Sequence, residues 1–218
     1  MKNYPQTITF DFDYTLADSS SGVIECVNFA LAKLGLPAAP DDAIRRGIGL
    51  SLEETLVTLA GERNRGSHEE FMRLFVERAD EVMVDATILF EPAPAVIKTL
   101  KAQGISLGIV SQKYRRRIEA ILERDNLLDY FDVIVGGEDM TAFKPDPSGL
   151  LTALDRLGGS PANSLYVGDS VTDAETAKRA NVPFVAVLSG ATPKDSFDGH
   201  PTVSIIESLS ELPGLISD

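Results

Sequence analysis

The chain reads as an α/β protein: a doubly wound parallel sheet with an all-helical block inserted after its first strand. Three observations predict this. From Pro92 onward, short β-rich runs alternate with helical segments. Those runs are apolar throughout rather than at every second position, as strands covered on both faces are. Between the opening run and Pro92, every segment carries helical periodicity. Strand–helix–strand units with right-handed crossovers stack helices on both sides of a common sheet.

The opening run, Thr7 to Phe12, is apolar and β-rich and stops at acids, so it predicts a buried strand. Residues 19–35 place Val23, Val27, Ala30, Leu31 and Leu34 at helical spacing, closed by Gly35 and Pro37. Residues 41–46, 51–60 and 67–86 follow as helices, with Ser51 and Glu54 spaced as a capping box. Phe71, Leu74, Phe75 and Val82 share one face of the last of these. Beyond the two prolines come a helix over 94–103, a strand over 105–110, and a helix over 113–124. A strand at 133–135, a helix over 147–157 and a strand over 164–167 continue the alternation. It closes with a helix over 172–180, a strand over 184–187 and a short strand near 202–206. The expected division is a sheet domain from 1–14 and 89–218, interrupted by a helical domain over 15–88.

Length and charge narrow the function. At 218 residues the chain can bury a sizeable core as one large domain or a core with an insertion. Acids exceed bases 33 to 20, a net charge of −13, which argues against a general nucleic-acid or membrane-surface binder. The single cysteine, Cys26, excludes an internal disulfide and is expected as a buried structural thiol. With only His68 and His200, a Cys/His zinc site is out of reach, and both histidines are expected at the surface. No stretch approaches the roughly 20 apolar residues of a spanning helix, and Met1–Tyr4 lead into an acidic run without a leader-like apolar core. A cytoplasmic protein is the expectation.

In open parallel sheets, ligands bind beyond the carboxyl ends of the strands. The residues that follow the predicted strands are Asp11-Phe12-Asp13-Tyr14-Thr15-Leu16, Ser111-Gln112, Lys144-Pro145 and Gly168-Asp169-Ser170-Val171-Thr172-Asp173. Asp11 and Asp13 on an extended segment point the same way, and Asp169 and Asp173 share a helix face. If these groups converge, four carboxylates face one lysine. Such crowding costs several kcal/mol unless it is neutralised. A hard divalent cation with oxygen ligands is the natural partner. Mg²⁺ suits the set because it uses few carboxylates and keeps positions for water and phosphate oxygens.

Singly, each motif has an ordinary reading: solvated turn acids, a helix-capping serine, a surface Lys-Pro turn. Together and in this order they resemble the haloacid dehalogenase superfamily, in its phosphoglycolate-phosphatase-like branch, over nearly the whole chain. The resemblance implies a Rossmann-like core, a helical cap inserted between the first and second motifs, and Mg²⁺-dependent hydrolysis of a small phosphomonoester. It implies Asp11 as nucleophile and metal ligand, and Asp13 as acid–base, with its carbonyl on the metal. Asp169 would ligate the metal; Asp173 would bind a metal water or hold Lys144. Ser111, Gln112, Lys144 and the backbone at Phe12 would contact the phosphoryl group.

Two positions depart from the family pattern: Tyr14 stands where glycine is usual and Gln112 where asparagine is usual. Tyr14 is expected to shape the entrance or to pack inside. In the helical block, acids outnumber bases thirteen to seven, and Arg45-Arg46 before Gly47-Ile48-Gly49 are the candidates for reading the substrate. A solvated helix end explains those arginines equally well. Rival readings are a sugar-phosphate mutase or a nucleotide or pyrophosphate phosphatase of the same superfamily. Outside enzymes they are a phospho-acceptor signalling module and a non-catalytic binding protein. The expected partner is a small phosphorylated metabolite, without nucleic acid or membrane, for a monomer or homodimer.

Overall fold

The computed structural model describes residues 5–217. Met1–Tyr4, part of the leader argument above, lie outside the described residues. Two compact units appear. One comprises the described residues up to Ala17 and from Leu89 on; the other is Asp18–Ile88.

The first unit is built on a six-stranded sheet. Its strands are β1 (Thr7–Phe10), β4 (Ser106–Val110), β5 (Val133–Val135), β6 (Ser164–Gly168), β7 (Phe184–Val187) and β8 (Ser204–Ile206). They lie in the order β5-β4-β1-β6-β7-β8, and every pairing is parallel. The chain first builds outward from β1 through β4 to β5, then returns to place β6 on the other side of β1. That reversal is the switch point at which such sheets bind ligands. Phe10 is level with Ile109 of β4 and with Val167 of β6. The segments leaving β1, β4 and β6 therefore emerge side by side. All four β1 residues are buried. Helices α5 (Ala93–Ala102), α6 (Arg115–Arg124), α7 (Ser148–Arg156), α8 (Val171–Ala180) and α9 (Leu212–Ser217) complete this unit. Leu150, Leu154 and Ala177 pack with Val110, Tyr166 and Phe184 in its main core.

The second unit is helical: α1 (Ser20–Lys33), α2 (Asp41–Arg46), α3 (Leu52–Ala60) and α4 (His68–Val82). Its core joins Cys26, Val27 and Leu31 of α1 with Phe71, Leu74 and Phe75 of α4. Ser51 and Glu54 form the capping box that their spacing predicts. Cys26 is free and buried.

Several expectations need correction. The first strand ends at Phe10, not Phe12: Asp11 keeps one backbone bond to β6, and the chain then leaves the sheet towards the turn at Tyr14. The block after it is not purely helical: Ala17–Asp18 (β2) and Ile88–Leu89 (β3) pair as a small second sheet. Two-residue strands are too short to show periodicity. Helix α4 starts at His68 after a 3₁₀ turn over Glu62–Ser67 and ends at Val82, where Thr87 Oγ1 donates to the Met83 carbonyl at 2.7 Å. The histidines are half-buried rather than solvated: His68 Nδ1 lies 3.0 Å from the Arg65 carbonyl, and His200 Nδ1 lies 4.0 Å from Glu175. Among the described residues no helix is long and apolar enough to cross a membrane.

Candidate active site

Asp11 is the first residue past β1, and its N–H still donates to the Val167 carbonyl of β6 at 2.9 Å. Then the chain folds back. The Phe12 carbonyl accepts from Thr15, Leu16 and Ala17 N–H groups at 3.3, 2.9 and 3.1 Å, and Phe12 itself is fully buried. Tyr14 makes this reversal possible with φ +62°. A left-handed backbone costs a side-chain-bearing residue roughly 1–2 kcal/mol, which accounts for glycine as the usual residue there. Tyr14 packs inside the unit, 8 % exposed, and its carbonyl accepts from Ser189 Oγ.

Lys144 is the hub. Its Nζ lies 2.9 Å from Asp11 Oδ1 and 2.7 Å from Asp173 Oδ1, with almost no solvent contact. Tyr166 of β6 also donates to Asp173 Oδ1 at 2.8 Å. The other Asp173 oxygen accepts from the Ser170 N–H and hydroxyl, in a capping box that opens α8. Both oxygens of Asp173 are thus committed to protein donors. Asp169 follows β6 directly, and Thr15 Oγ1 donates to its Oδ1 at 3.3 Å. Gly190 passes so close that an added Cβ would fall 2.0 Å from Asp169 Oδ2 and 3.1 Å from the Tyr14 Cβ.

Asp11, Asp169 and Asp173 are all buried, with one carboxylate oxygen of each lying within 4.8 Å of the others. Burial raises Asp11 to about 6; Lys144 opposes this, while the charges of Asp173 and Asp13 add to it. Burial and the charges of Asp173 and Asp11 hold Asp169 well above the usual carboxylate range. Burial alone would weaken the Lys144 ammonium, but Asp11 and Asp173 outweigh it and keep the lysine charged. One ammonium therefore does not balance this cluster. Moreover, Asp11 Oδ1 is buried without a hydrogen-bond donor, for the Lys144 contact is an ion pair without hydrogen-bond geometry. A hard divalent cation fits this donor set: oxygen ligands, surplus negative charge and an unsatisfied oxygen.

The Asp13 carboxylate is not in that cluster. It pairs with Lys113, whose Nζ is 3.0 Å from Asp13 Oδ1. Three carboxylates converge rather than four, because the Asp13 carboxylate is drawn to the Lys113 ammonium. Ser111 is buried after β4, and its Oγ accepts from the Lys113 N–H at 3.4 Å. Gln112, beside it, is half-buried. Lys144 is joined to Pro145 by a cis peptide bond. In the helical unit, half-buried Arg45 donates to Ser20 Oγ and Arg46 is exposed.

Sequence reasoning missed Lys113, Tyr166, Thr15 and Gly190. Tyr166 had a signal, as a lone hydroxyl in an otherwise apolar strand; Lys113 had one as a cation directly after Ser111-Gln112. Nothing local marks Gly190.

A family model for haloacid dehalogenase-like hydrolases matches residues 8–187. The chain belongs to this family. The hydrolase is 30 % identical over 227 residues to phosphoglycolate phosphatase of Escherichia coli K12, covering 94 % of this chain and 90 % of that protein. It is 34 % identical over 204 residues to phosphoglycolate phosphatase of Salmonella typhi, covering 84 % and 81 %. A solved haloacid dehalogenase-like structure from Bacteroides fragilis matches the hydrolase with a TM-score of 0.91 at 44 % identity, covering 95 % of this chain and 99 % of that one. A Lactobacillus plantarum structure at 24 % identity, covering 97 % and 99 %, shares the fold with a TM-score of 0.85.

Proposed function

We propose that the hydrolase cleaves a small phosphomonoester, phosphoglycolate first among candidates, with Mg²⁺ as cofactor and an aspartyl-phosphate intermediate. The observation that carries this reading is the buried Asp11 carboxylate. It has an unsatisfied oxygen, an ammonium at 2.9 Å and Asp169 within the same cluster. The named activity of the curated relatives supports the substrate class. We read Asp18–Ile88 as the cap.

Asp11 attacks phosphorus while Asp13 gives a proton to the departing oxygen, leaving an acyl phosphate on Asp11 and a free alcohol. Asp13 then takes a proton from water as its oxygen attacks phosphorus, which restores the Asp11 carboxylate and releases inorganic phosphate. Lys144, held by Asp173 and Tyr166, offsets the charge of Asp11 and the phosphoryl oxygens. Ser111, Gln112 and the Phe12 backbone are the further phosphoryl contacts. A Mg²⁺ held by Asp11, Asp169 and the Asp13 carbonyl would neutralise the carboxylates and the incoming phosphate. Asp173, both of whose oxygens are taken, serves better as the brace for Lys144 than as a direct ligand. Tyr14 and one of Arg45 and Arg46 are the candidate discriminators of the leaving group.

Phosphate release from phosphoglycolate and a panel of sugar phosphates, nucleotides and pyrophosphate tests the reading. The wild-type protein should release phosphate with Mg²⁺ and none with a chelator. Asp11→Asn should lose at least about 10³-fold in kcat, the scale seen when a covalent nucleophile is removed. Turnover by Asp11→Asn, or in chelator, overturns the mechanism; isomerisation without phosphate release would identify a mutase.

A further inference from the structure

We propose that Lys113 is the positioning residue for the acid–base carboxylate of Asp13, an inference that rests on the phosphatase reading above. The two lysines of this region serve different acids. Lys144 pairs with Asp11 and Asp173, while Lys113 pairs with Asp13 at 3.0 Å. The Lys113 side chain is 4 % exposed, against 17 % for Asp13. An ammonium that far from solvent is tolerated only when paired, so the protein fixes Lys113 and Lys113 in turn fixes the more open carboxylate.

The backbone around Lys113 is itself clamped. Its N–H points to Ser111 Oγ at 3.4 Å, and its carbonyl accepts from the Gly137 N–H at 3.0 Å. Gly136 and Gly137 press on either side of it: an added Cβ would fall 2.2 Å from the Arg115 nitrogen and 2.3 Å from the Gln112 carbonyl oxygen. Nothing in such contacts can yield without moving the loop. An acid that must meet a leaving oxygen within about 3 Å gains from being held this way. Lys113 acts through Asp13 and need not touch the substrate.

The test exploits leaving-group chemistry. Departure of an alkoxide from phosphoglycolate needs a proton, whereas p-nitrophenolate leaves without one. In the full-length protein with Mg²⁺, Lys113→Met should lower kcat/KM for phosphoglycolate by about 10²-fold, the lower end for general-acid help. For p-nitrophenyl phosphate it should lose less than about 3-fold under that logic. In an Asp13→Asn background, Lys113→Met should add nothing. Lys113→Gln, which keeps a donor and most of the length, carries the same comparison if the methionine variant fails to fold. Equal losses on both esters, a raised KM on both with kcat unchanged, additive losses with Asp13→Asn, or no loss at all would each overturn the proposal. A wild-type protein inert toward both esters, or an active Asp11→Asn, would instead overturn the phosphatase reading itself.

Discussion

Tyr14 sets two energies against each other. Its left-handed backbone costs about 1–2 kcal/mol, which glycine would relieve, but its side chain is buried to 8 % exposure. Truncating a buried aromatic costs about 3–5 kcal/mol, so packing wins. Tyr14→Gly should lower the stability by about 2 kcal/mol in urea unfolding, and a gain would show that the ring contributes little. Gly190 poses the reverse case. Gly190→Ala puts a methyl on Asp169 Oδ2, so the apparent Mg²⁺ requirement for activity should rise at least about 10-fold, the scale of losing support behind a metal ligand. An unchanged Mg²⁺ titration would show that the loop yields instead. At this scale the sequence was legible where a side chain's chemistry stood out: Asp11, Lys144, Asp169 and Asp173 were found and do meet. Gly190 was illegible because its role is to have no side chain, near acids distant in sequence.

Among the elements, α6 has an unusual start. Tyr114 precedes it and offers no side-chain cap. Instead Glu138, from the loop after β5, accepts the Arg115 and Arg116 N–H groups at 2.7 and 3.3 Å. Its charge also suits the helix N-terminus. Glu138→Ala should therefore cost about 1 kcal/mol, as loss of a cap does. Gly136→Ala should cost about 1–3 kcal/mol or more, because its Cβ meets backbone rather than a movable side chain. Chemical denaturation of both variants checks the order; Glu138→Ala proving the more damaging would contradict it. The long helices α1 and α4 were readable because each buries a regular face, and β4 because it is apolar on both faces. The β2–β3 pair was not, at two residues a strand. Nor was α9, where Pro213 and Gly214 argue locally against a helix that other parts of the fold sustain.

The stability of the whole molecule carries the electrostatic burden of the acids at the sheet's strand ends. Asp11 holds its proton up to about pH 6 in the fold, against an ordinary value of 3.8. Between those values the folded state binds the extra proton, so stability falls as pH rises through the window, and the cost is fully present above it. Asp169 acts in the same direction. Lys144 also loses stability as pH rises, but in another range: its contribution is favourable, full below the usual lysine range, and fades only above it. A divalent cation bound there would offset the carboxylate cost and add about 2.7 kcal/mol at a hundred times its dissociation constant. Millimolar Mg²⁺ should thus raise the Tm by several degrees at pH 7 and by much less at pH 5, where protons compete. Equal shifts at both pH values would remove the cluster as the source. The three-dimensional meeting of these acids also has a bearing on synthesis. Thr15 and Asp169, hydrogen-bonded to each other, stand 154 positions apart, and β6 must slot beside β1 before they touch. A chain that stops short of β6 lacks Asp169 and Asp173, so Asp11 and Lys144 have no acid cluster to join.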